Sequence, residues 1–123
     1  MRTALHIAIL SLLACVPAHA HDVETGSIMI CDTQKQIERY VQLFDGNQDA
    51  AIKAVNAEEK NPSACALTNV AYVQGDAIDT VRSATDAFKV IPVGVVAVNT
   101  AAGFQLVQPT VFFTLVKVKE FAV

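Results

Sequence analysis

The residues of this 123-residue chain best suited to metal or redox chemistry are its three histidines and three cysteines. Two histidines and a cysteine fall in "CVPAHAHDVE", residues 15 to 24. An N-terminal histidine can hold copper through its amine and ring, but such a site needs a second imidazole. A cut after Ala20 removes His6 and His19 and leaves His21 among carboxylates, so no metal site is expected. "DGNQD", Asp45 to Asp49, matches the opening of a D-x-N-x-D calcium loop. That loop requires glycine at its sixth position and a bidentate glutamate at its twelfth, where this chain has Ala50 and Asn56. Turn and helix-cap chemistry accounts for the same residues.

Catalytic groups are equally sparse. General acid–base work draws most often on histidine, and only His21 survives the cut. Ser27, Ser63 and Ser83 stand in no G-x-S-x-G setting, and there is no glycine-rich phosphate loop. Two carboxylate pairs, Asp76 with Asp79 and Glu58 with Glu59, could in principle serve a hydrolase, but solvated turn and helix-end charges explain them equally. No catalytic residue and no cofactor are assigned.

Around these groups the chain reads as a small α+β domain. Thr33 and Gln36 form a capping box, with Asp32 beside it. Ile37, Tyr40, Val41 and Phe44 then follow on one helical face, and Asp45-Gly46 ends the helix. Asn47 caps a second helix with Ala51, Ile52 and Val55 on its apolar side; Asn61-Pro62 stops it. "SIMI", Ser27 to Ile30, suits a short strand. After Cys65 the texture turns to strand: "ACALTNVAYVQGD", answered by Ala77 to Thr85 as a hairpin arm, then "FKVIPVGVVAVNT", "FQLVQP" and "TVFFTLVKVKE". Pro92 and Gly94 suggest a bend. The expected architecture is two N-terminal helices packed on an antiparallel sheet of four or five strands. No charge occurs from Val90 to Val116, but the apolar runs inside that stretch are each about 10 residues or fewer, too short to span a membrane.

The start of the chain reads as an export signal. Arg2, the run "ALHIAILSLLACV" and the small-x-small ending Ala18-His19-Ala20 have the layout of a secretory leader. Residues 1–20 are then the leader, and 21–123 form one domain that is periplasmic or secreted. "LLAC", Leu12 to Cys15, offers the other cut, which would make Cys15 a lipid anchor. Without residues 1–20, eight Lys and Arg oppose twelve Asp and Glu, a net charge of −4. The basic residues are scattered, so nucleic acid is not an expected partner. Cys31 and Cys65 are an even pair in an oxidising compartment, which reads as a disulfide.

"CDTQKQIERYVQLFDG" and "AVNAEEKNPSACALTNVAYVQGD" resemble short exported alphaproteobacterial proteins of unknown function. The resemblance implies export and a disulfide and transfers no activity. By elimination the expectation is a non-catalytic binding domain for an unknown envelope or extracellular protein. The strand-rich half holds more apolar residues than two short helices can cover, which points to a partner interface or to a homo-oligomer. The alternative is a self-assembling envelope structural protein, with a small carboxylate-dependent hydrolase behind it. Intact mass of the protein recovered from its native host should show a chain starting at His21. A diacylated Cys15 start would select the anchor, and a full-length cytosolic species would exclude both.

Overall fold

A computed structural model describes residues 22–119. The leader, Cys15 and His21 lie outside the described residues. The elements in chain order are β1 (Val23–Cys31), α1 (Gln34–Leu43), α2 (Gln48–Glu59), β2 (Cys65–Gln74), β3 (Asp79–Arg82), β4 (Ala87–Thr100) and β5 (Gly103–Lys117). The protein is therefore two helices and a five-stranded antiparallel sheet, in the order β2-β1-β5-β4-β3.

The helices form where the local chemistry places them. The Thr33 hydroxyl accepts the Gln36 N–H while the Gln36 side chain accepts the Thr33 N–H, the reciprocal box expected from the sequence. The Asn47 side chain accepts the Ala50 N–H and starts α2. Between the helices Gly46 takes φ +106°, a left-handed conformation that glycine adopts without steric cost. Ile37, Tyr40, Val41, Ala51 and Val55 are buried, and Phe44 and Ile52 pack at their margin. At the opposite end Arg39 forms a two-toothed ion pair with Glu58, 2.8 Å on each tooth, and the Gln36 amide donates to Glu59 at 2.7 Å.

Three expectations need correction. The helices are not N-terminal: β1 precedes them and is a full strand of nine residues, all paired with β2. The apolar "SIMI" core is its visible part. The flanking Val23-Glu24-Thr25 and Cys31 are recruited because β2 offers nine consecutive partners. Secondly, residues 77–85 do not answer β2 as a hairpin. β2 is occupied by β1 on one edge and by β4 on the other, so β3 pairs with the start of β4 through the Ser83–Asp86 turn. Lastly, "FQLVQP" and "TVFFTLVKVKE" are one strand. The irregularity lies not at Pro92 or Gly94 but at Val96, where Val95 faces Thr110 and Ala97 faces Leu106. Three β5 residues, Val107 to Pro109, oppose that one, and Pro109 has no N–H to lose at such a site.

Cys31 and Cys65 are register partners and are joined by a disulfide, their Cα atoms 4.0 Å apart. The Asp32 N–H donates to the Ala64 carbonyl just outside them. That marks the pair as a non-hydrogen-bonded one, the closer-spaced type in an antiparallel ladder. The whole helical hairpin is thus an excursion from a β1–β2 ladder, closed at its base by a covalent bond.

Side chains alternate between two cores. Met29, Cys31, Phe88 and Val90 face the helices, with Phe113 and Leu115 beside them. Ile30, Val70, Tyr72, Ile91, Val93 and Val95 point the other way into a second core that contains no helical residue. The sheet covers that side itself. It curls until β2 pairs with β4, while β1 touches β5 at Cys31–Phe113, so β2, β1, β5 and β4 make a ring. Val70 and Val93 are fully buried inside it. Much of the apolar surplus expected to seek a partner is consumed in this way.

Closing a loop of this length by a disulfide is worth about 4 kcal/mol in the chain-entropy model, against about 1 kcal/mol for a good helix cap. The bridge therefore dominates over either cap. Thiol titration of the unfolded, unreduced protein should find neither Cys31 nor Cys65 reactive. Replacing both by alanine should lower unfolding stability by roughly 3–4 kcal/mol, read from the denaturant midpoint.

Candidate interaction face

The carboxylates that might have served chemistry are engaged elsewhere. Glu58 belongs to the Arg39 pair, Glu59 accepts from Gln36, and Asp79 accepts the Thr80 N–H at 2.8 Å. Glu58 and Glu59 both line a shallow recess of about 230 Å³ between the helices, each held by its own partner there, Arg39 and Gln36. Asp76 sits in the connection after β2 and is itself partnered. In the former calcium-loop stretch, Asp45 accepts the Asn47 N–H, Asn47 caps α2 and Asp49 pairs with Lys53 at 3.0 Å. Among the described residues no three His, Cys, Asp or Glu side chains converge as metal ligands.

One concavity opens beneath the α1–α2 turn, where β1 and β5 part below the Cys31–Phe113 contact. It is a cleft of about 500 Å³ lined by Met29, Tyr40, Phe44, Phe88 and Leu115, with Lys117 at the rim. Most of its polar side chains are engaged, and Ser27 also lines it. The Thr114 hydroxyl donates to the Met29 carbonyl at 2.7 Å, and Lys117 pairs with Asp86 at 2.9 Å. Burial pushes the Tyr40 hydroxyl above its ordinary range, against a Gln48 hydrogen bond that pulls it down, so Tyr40 stays protonated at neutral pH. The cleft is lined mainly by apolar side chains, and its lining contains no carboxylate.

The sheet surface past the helices is different in kind. Strand alternation puts Val23, Leu67, Phe104, Leu106 and Val111 on the helix-bearing side of the sheet, yet all five are exposed. Their registers align across four strands. One row runs Val111–Gly94–Val73–Val23, and the next runs Leu106–Ala97–Ala71–Thr25. Neither row carries a charge, nor do the flanking pairs Phe104–Asn99 and Asn69–Ser27. Leu106 is 90% exposed, Val111 59% and Phe104 48%. Beside that ridge nothing stands within 4 Å of where a Gly94 side chain would begin, while Ala97 and Ala71 in the next row are buried. The β5 margin of the face also has an open edge. Among the described residues β5 has one ladder pair with β1, Cys31–Phe113, so the outer edge from Gly103 to Val111 has no paired strand.

Charges gather on the helical hairpin instead: Glu38, Arg39, Asp49, Lys53, Glu58, Glu59 and Lys60. Two other large apolar residues of β5 are covered by the fold itself. Phe112 joins the second core and Phe113 packs at the margin of the first. Gly94 and Val23 are not legible as neighbours on one face, because only the β2–β4 pairing places them in a row with β5.

No family model matches the chain, and no curated protein or solved structure does. The face and the fold therefore carry the functional reading alone.

The Arg39 hydrogen bonds, with a smaller Coulomb attraction from the same guanidinium, hold Glu58 below the usual glutamate range. A depressed carboxyl adds stability at neutral pH that is lost as pH falls through its folded-state value. Titration followed by carboxyl NMR shifts should place Glu58 below an ordinary glutamate. Arg39→Gln should return it to the ordinary range without altering the sheet.

Proposed function

We propose that this chain is an exported, non-catalytic interaction domain that works by docking its uncharged sheet face on another polypeptide. The observation that carries this is the exposed ridge Phe104, Leu106 and Val111 beside an unpaired β5 edge, in a stretch without charge. Water-exposed apolar side chains in contiguous rows lose free energy when covered, at roughly 25 cal/mol per Å² of apolar area. The ladder-locked strands beneath them keep the face in shape. Cys31–Cys65 supports an oxidising location, and among the described residues no helix is long and apolar enough to cross a membrane. Action outside the cytoplasm, on an envelope or extracellular protein, fits both.

The second reading is self-assembly, favoured by the open β5 edge, since unpaired strands recruit other strands. A carboxylate-dependent hydrolase draws no support from the cleft, whose lining contains no carboxylate.

Capture from host envelope extract tests the reading. The exported protein should retain one specific partner, or itself, and Leu106→Asp should reduce that retention at least about tenfold. Retention equal for wild type and variant would move the site elsewhere.

A further inference from the structure

We infer that the parted β1–β5 seam takes one extended segment of another polypeptide, added as a strand along the β1 edge with a large apolar side chain in the cleft beneath the α1–α2 turn. The site is distinct from the Leu106 ridge and does not rest on it.

The backbone sets what kind of molecule fits. Groups in an antiparallel strand point alternately to one neighbour and to the other. Asn56 takes both the N–H and the carbonyl of Cys65, so these point away from β1, and Cys31 opposite points its own away from β2. Alternation then turns the groups of Met29, Ser27, Thr25 and Val23 the same way, into the seam. From Cys31–Phe113 the register continues to Met29–Leu115 and Ser27–Lys117, but among the described residues neither pair forms. The Thr114 hydroxyl takes the Met29 carbonyl, at 2.7 Å, in place of a β5 backbone N–H. β5 does not swing across to fill the gap: the Val118 N–H donates to the Ala87 carbonyl, so the strand stays on β4 to its end. The β1 edge therefore presents donors and acceptors at every second residue, about 7 Å apart. A partner must repeat at that spacing to meet them, and an extended backbone does.

The cleft selects the side chain. A strand laid on β1 turns alternate side chains to the helix-bearing side, where Ser27 and Met29 already point. There Phe44 stands between Tyr40 and Phe88, with ring centroids 5.7 Å from each. The lining has no carboxylate, and its one cation, Lys117, is held by Asp86. A charged side chain would lose water there without gaining a partner, whereas phenylalanine or leucine would meet rings.

NMR of the protein with its bridge intact, titrated with a short capped peptide alternating threonine and phenylalanine, tests this. In the free protein the Ser27 and Thr25 amides should exchange with solvent faster than those of Gly26 and Ile28, which face β2. The peptide should protect Ser27 and Thr25 and shift the Phe44 and Phe88 ring signals. Methylating the peptide nitrogens that face β1 should weaken binding at least about tenfold by removing main-chain bonds. Ser27→Pro should do the same, and it removes no β1–β2 bond because that N–H faces the seam. If Ser27→Pro does not fold, the methylated peptide decides alone. Lysines in place of the phenylalanines should also cost at least about tenfold. Leu106→Asp, three strands from β1 by way of β4 and β2, should change affinity less than about twofold. Four results would overturn the assignment: Ser27 and Thr25 amides already as slow as their neighbours in the free protein, no binding of the peptide, a methylated peptide that binds as well as the plain one, or affinity lost in Leu106→Asp. The last would place the peptide on the ridge instead.

Discussion

The pairing of Cys31 with Cys65 sets the frame for everything else in this molecule. It is at once a ladder position and a covalent bond. Fixing it fixes the β1–β2 register over nine residues, and side chains in a strand alternate between faces with a period of two. A slip by one would send Met29 into the ring and Ile30 under the helices. The same register aligns β2 with β4, since Val70 to Gln74 must meet Val93 to Val98. The rows on the open face are therefore downstream of the bridge. Asn56 ties the helical layer to the same point. Its side chain donates to the Cys65 carbonyl at 2.9 Å and accepts the Cys65 N–H at 2.8 Å.

A domain this small has little area with which to bury two faces of a sheet. The helical hairpin covers one part of one face, and curling covers the other face. The cost of the curl is the break at Val96, where β4 and β5 lose register and Val107 to Pro109 loop past it. Beyond that break Val107 still turns inward while Leu106 turns out. The exposed ridge is the geometric remainder of closing the ring.

How much of this the sequence shows depends on the range of the interaction. Thr33, Gln36, Asn47 and the glycine turns act within a few residues, and both helices stand where those signals put them. The bridge is legible because the even count and the apparent compartment leave little else for two cysteines. Long-range pairing is not legible. Nothing local tells β3 to prefer β4 over β2, or makes "FQLVQP" continuous with the strand after it. Asn56 stood out only as the wrong residue for a calcium loop, whereas its role is to hold a backbone nine positions on. The open face suffers most, because it is assembled from four strands and no single stretch reveals it.

The excursion that holds both helices leaves and re-enters the sheet at two Cα atoms 4.0 Å apart. Its ends are thus almost as close as neighbouring residues along a chain, which lie about 3.8 Å apart. An insertion with coincident ends places no demand on the host ladder through its length; what ties it to the sheet is its buried side, Ile37, Tyr40, Val41 and Val55, and the Asn56 bonds to Cys65. Helix surface, length and charge can therefore drift while the strand registers hold. The freedom to change is therefore concentrated on the water-facing side of the hairpin, where Glu38, Arg39, Lys53 and Glu58 sit, and is least along the strands whose registers the bridge fixes.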